Sequence, residues 1–127
     1  MPRNGQRGSA ALEFALVFPL ILLLLLALVQ VGVLARDQLL LTQASRAGAR
    51  EAAVDPSAEA VEEAVRSAAV GLEGDRLRVE IARAGARGSP VTVALTYEAP
   101  IAETLAGWLF PGSVTLRGSA TMRQEFA

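Results

Sequence analysis

Carboxylates, arginines and one tyrosine are the only ionising side chains this chain offers for chemistry. Its 127 residues hold thirteen Asp and Glu, twelve basic residues that are all arginine, and no His or Cys. Imidazole acid–base catalysis, thiolate nucleophiles, disulfides and Cys/His zinc sites are therefore excluded. What remains is paired-carboxylate chemistry. Glu62 and Glu63 are adjacent, and adjacent helical residues point in different directions, which suits a solvated face rather than a shared site. No phosphate-binding loop, dinucleotide fingerprint or Gly-x-Ser-x-Gly elbow occurs. The residues point away from an enzyme and call for no cofactor, metal or small-molecule substrate. One carboxylate stands apart. Glu13 follows Gly8 by five residues and immediately precedes Phe14–Ala35, a stretch without charge whose only polar side chain is Gln30. A carboxylate at the edge of hydrocarbon is costly unless something uses it. Without a user it would lie at the interface near a helix start and reach toward water.

The elements that position these residues follow from pattern. As a helix, Phe14–Ala35 would run roughly 33 Å, close to the hydrocarbon thickness of a bilayer. Met1 to Ser9 is polar and carries Arg3 and Arg7, which favours a cytoplasmic N-terminus and places the rest beyond the span on the far side. After Ala35 acids slightly exceed arginines, so a basic nucleic-acid surface is excluded. The helix is expected to run from Ala10 to Ala53, with Pro19 and Gly32 as soft points. Past the span, Arg36, Gln43, Arg46 and Arg50 share one face. Leu34, Leu41, Ser45, Gly48 and Ala52 share the opposite one. That second face tapers to small residues and admits a close neighbour, either the chain's own sheet or another subunit.

Asp55-Pro56 ends the helix, and the pair suits the N-cap and first position of a second one reaching about Val70. Val61, Ala64, Val65, Ala68 and Leu72 form its apolar stripe, and Gly71 and Gly74 close it. Leu77, Val79 and Ile81 then alternate with Arg78, Glu80 and Arg83, a strand period. Ala84 to Pro90 reads as a hairpin loop. Val91, Val93, Leu95 and Tyr97 form the inner face of a second strand. Pro100 to Phe110 is ambiguous and could hold a short helix, with Trp108 and Phe110 covering a small core or making an exposed contact. Val114, Leu116, Gly118, Ala120 and Met122 mark a third strand. The expected fold is α+β: a long N-terminal membrane-spanning helix, a second short helix and a small three-stranded antiparallel sheet. The expected divisions are residues 1–8, a helix over 9–54 that spans a membrane from about 14 to 35, and a small α+β domain over 55–127.

Arg7-Gly8-Ser9-Ala10-Ala11-Leu12-Glu13-Phe14 has the form of a type IV prepilin leader and, with Ala15 to Pro19, resembles the opening of the TadE-like family. That family comprises minor pilins or pseudopilins of the tight-adherence (Flp) pilus system. Ser45-Arg46-Ala47-Gly48-Ala49-Arg50 resembles the family's second block, and Ser119 to Glu125 resembles its ending. At Gln30 the family often carries glutamate, so no role for a second intramembrane carboxylate transfers. The resemblance implies a pilin-like fold and a bacterial cytoplasmic-membrane protein, exposed at the cell surface when built into a pilus. It implies cleavage by a prepilin peptidase between Gly8 and Ser9. It implies that Glu13, beside Phe14, sets subunit register by pairing with a neighbour's N-terminal amine, and that Leu41, Ser45, Gly48 and Ala52 serve helix packing. Its implied partners are the peptidase, other pilins or pseudopilins, the assembly platform and the membrane.

Two other readings stand beside it. Val33-Leu34-Ala35 resembles a small-x-small signal-peptidase site before Arg36, which would release a secreted soluble domain. An uncleaved chain would be a membrane-tethered binding module.

Overall fold

The computed structural model describes residues 4–101 and 112–126. Trp108, Phe110 and the candidate helix after Pro100 lie outside the described residues. The chain divides into two compact units, Met1–Val33 and Leu34–Ala127. Helix α1 (Asn4–Val54) contributes to both and is already formed six residues ahead of the expected Ala10. Pro19 sits inside it without ending it.

In the first unit α1 has no covered apolar face. Its most hydrophobic 18-residue window has a mean hydropathy of 2.9 and none of it is buried. Leu16, Leu20, Leu24 and Leu28 are each more than three-fifths exposed. A helix of a soluble domain would hide one such stripe. This is the one described helix long and apolar enough to cross a membrane, and it fits a single-pass membrane protein.

The second unit has its own core. Helix α2 (Ala58–Ala68) and strands β1 (Leu77–Arg83), β2 (Pro90–Pro100) and β3 (Ser113–Arg123) pack with the Leu34–Val54 part of α1. The sheet is antiparallel in the order β1-β2-β3. Leu77 pairs with Tyr97 and Arg83 with Val91, while Pro90 pairs with Arg123 and Pro100 with Ser113. Val91, Val93, Leu95, Tyr97 and Ala99 of the central strand are all buried, as the period-two pattern requires. The α+β class and the element order are those expected.

Two local expectations need correction. The N-cap of α2 is Ser57, not Asp55: the Ser57 hydroxyl accepts from the Ala60 amide, and the helix starts at Ala58 and ends at Ala68. Asp55 instead folds its carboxylate onto the Ser57 amide at 2.7 Å, a local turn that Asp favours. The second correction concerns Arg83. It shares the parity of Leu77, Val79 and Ile81, so it belongs to the inner face of β1 rather than with Arg78 and Glu80. It survives there because it finds carbonyl acceptors on that side, described below. Gly71 closes the turn after α2 with φ of +101°, a left-handed geometry that glycine supplies without strain.

Candidate functional site

Gly8, Ser9, Glu13 and Phe14 all lie on α1 and are exposed. One turn of helix separates Ser9 from Glu13, and the Ser9 hydroxyl donates to Glu13 Oε1 at 3.3 Å. Side chains on a helix lean toward its N-terminus, so the carboxylate of Glu13 lies level with residue 9. Nothing comes within 4 Å of where a Cβ on Gly8 would stand. Glycines at Gly5 and Gly8 lower helix propensity by about 1 kcal/mol each, which weakens the first turns of α1. Phe14 stacks one turn on against Phe18, with ring centroids 5.6 Å apart.

Leu41, Ser45, Gly48 and Ala52 are all buried, while Gln43, Arg46 and Arg50 on the other side of the helix are exposed. The neighbours that bury the small-residue face belong to the same chain. A Cβ on Gly48 would stand 2.6 Å from Val65 Cγ2 of α2 and 3.1 Å from Val93 Cγ1 of β2. From the opposite direction, a Cβ on Gly118 of β3 would stand 3.3 Å from the Leu41 carbonyl oxygen. Ser45 satisfies its hydroxyl locally, donating to the Thr42 carbonyl at 2.8 Å.

Residues 8–50 match the family model described as TadE-like protein. They form a TadE-like segment, of the kind found in components associated with Tad pili. No curated protein and no solved structure matches the chain. The TadE-like segment opens at Gly8 and closes at Arg50, so it takes in Glu13 and the Ser45–Arg50 block but not Ser119–Glu125.

Glu62 and Glu63 lie outside the TadE-like segment and do not converge. Glu62 pairs with Arg66 at 3.6 Å, and Glu63 accepts from the Ser67 hydroxyl. Among the described residues no group of three or more acids is placed to hold a metal ion.

A cluster that the alternation reading missed also lies beyond the segment. Arg83 donates from Nη1 to the Ala52 carbonyl at 2.7 Å and from Nη2 to the Asp55 carbonyl at 3.1 Å. These carbonyls belong to the last turn of α1 and its exit, where a helix leaves acceptors unused and its dipole favours a cation. The Glu125 amide donates to the Ala53 carbonyl at 2.8 Å, and the Phe126 ring lies 5.3 Å from the Arg83 guanidinium carbon. Gln124 is buried, and with its amide turned to suit its neighbours it donates to the Gly85 carbonyl and accepts from Arg83. The parity of residue 83 was the available signal.

Proposed function

We propose that this chain is a TadE-like minor pilin or pseudopilin, a non-catalytic component of a tight-adherence (Flp-type) pilus or a related secretion assembly. A prepilin peptidase would mature it between Gly8 and Ser9. The observation that carries the reading is the level of the Glu13 carboxylate, one helical turn back at residue 9, in a segment whose family match opens at Gly8. Cleavage after Gly8 turns residue 9 into a free amine. A neighbouring subunit in register presents its own amine at that same depth. Both charges are expensive in hydrocarbon, and they offset each other only when the helices align. The pair therefore selects register more than it adds affinity. The two leading arginines favour a cytoplasmic N-terminus and an extracytoplasmic domain. The partners are the prepilin peptidase, other pilins or pseudopilins and the assembly platform.

The secretion reading is weakened by the second unit. Leu34 packs against its core and Asp37 is 6% exposed, so a cut between Ala35 and Arg36 would fall inside α1, among residues the domain uses. Mass spectrometry of the mature N-terminus tests the proposal. Ser9 is expected. A chain starting at Arg36 would make it a secreted domain, and an intact Met1 or Pro2 terminus would make it a tether.

A further inference from the structure

Gln30 is the feature of the span that register pairing at Glu13 leaves unused. It is the only polar side chain between Phe14 and Ala35. Its amide carries two N–H donors and a carbonyl acceptor, and hydrocarbon supplies nothing to meet them. Gln30 lies five residues inside Ala35, roughly 8 Å along the axis at 1.5 Å per residue. Because helical side chains lean toward the N-terminus, the amide tips deeper into the span rather than out toward the nearer interface. A carbonyl of its own helix can accept one N–H. The backbone N–H groups around it are all engaged in the helix, so the amide oxygen has no donor within the span.

The surroundings of Gln30 show what could meet it. Leu16, Leu20, Leu23, Ala27 and Gln30 follow one another at spacings of 4, 3, 4 and 3, and the leucines of that row are exposed. That spacing is the one an a/d seam takes when two helices pack with a shallow left-handed crossing. Ala27, one turn before Gln30, is the small residue that lets two backbones approach closely there.

The geometry points to self-association of the span: two copies pair in parallel along Leu16–Gln30, with their Gln30 amides hydrogen-bonded to each other. All copies inserted in one membrane run the same way, so residue 30 of each lies at the same depth. An amide is self-complementary, and a two-fold interface brings like residue to like. The same register sets each Glu13 carboxylate level with residue 9 of its partner. The inference rests on the membrane-spanning reading of α1, and its test separates the two.

The chain has no cysteine, so single-cysteine variants report position without background. The full-length protein, inserted during synthesis so that its copies share one orientation, is oxidised with copper phenanthroline in membrane vesicles from the expressing cells. Ala27→Cys is expected to cross-link, and Leu25→Cys, on the opposite side of the helix, is not. Adding Gln30→Leu to Ala27→Cys should lower the cross-linked fraction about three- to tenfold, the scale of one interhelical hydrogen bond, whereas Gln30→Asn should retain it. Equal cross-linking with leucine at position 30, equal cross-linking at positions 25 and 27, or none at Ala27→Cys would each overturn the pairing. Alkaline carbonate extraction of the same vesicles checks the span. A chain that stays in the lipid but does not pair removes the pairing alone, and a chain that is extracted removes the span and the pairing together.

Discussion

At Gly48 a hydrogen is all that the α-carbon has room for, because Val65 and Val93 close on it from two elements. Gly48→Ala must move the Val65 side chain or the helix that carries it, and overpacking of this kind costs about 1–3 kcal/mol. Thermal unfolding of the full chain in detergent micelles should show the loss, while Gly32→Ala, where nothing lies within 4 Å, should show none. Gly8 is the reverse case. Its surroundings are open, so Gly8→Val should fold and insert normally but resist a peptidase cleft shaped for a bare backbone. The expected readout is accumulation of the uncleaved precursor, and normal maturation would refute the leader reading. On the register role proposed for it, Glu13→Ala should likewise leave insertion intact and reduce co-purification with pilus components. Arg83 carries more stability than its exposed neighbours. Arg83→Met keeps the stem and removes two bonds to carbonyls, a loss of about 2 kcal/mol by denaturant titration. Its role was readable from the parity of residues 77, 79, 81 and 83. What hid it was the habit of assigning charge to the outer face.

At the scale of elements, what repeats was legible and what depends on a single bond was not. Strand β2 alternates through Val91, Val93, Leu95 and Tyr97, and every inner residue is buried. A period sampled that many times leaves one register. The start of α2 is expected at Asp55, and the cap is instead Ser57, two residues on. The choice depends on which oxygen reaches which amide in three dimensions. Ser57→Ala removes the observed cap, and since that bond is long at 3.3 Å, the expected loss is near the low end for caps, about 0.5–1 kcal/mol. Gln124 could not have been placed from the sequence. A glutamine after a strand looks like surface, and its burial depends on Gly85 and Arg83, which are distant along the chain.

Across the whole molecule, the divisions read from the sequence, after residues 8 and 54, follow the leader pattern and the end of the helix, and the compact units part between Val33 and Leu34. A helix boundary is written in local propensity. A unit boundary is set by who touches whom, and from Leu34 onward α1 belongs to the sheet's core. The two units draw on different sources of stability, bilayer burial for one and a small apolar core for the other, so unfolding should not be two-state. Heating in micelles should abolish the sheet signal in circular dichroism while the helix signal of the span persists, and a single transition that removes both would refute this. The clasp at the end of α1 also imposes an order in time. During synthesis the helix emerges first, yet the carbonyls of its last turn wait for Arg83 and then for the Glu125 amide. Such distant contacts form late. The span can enter the bilayer long before the domain attached to it is able to close, so a ribosome or translocon stalled short of residue 125 holds an anchored chain whose domain is unfinished.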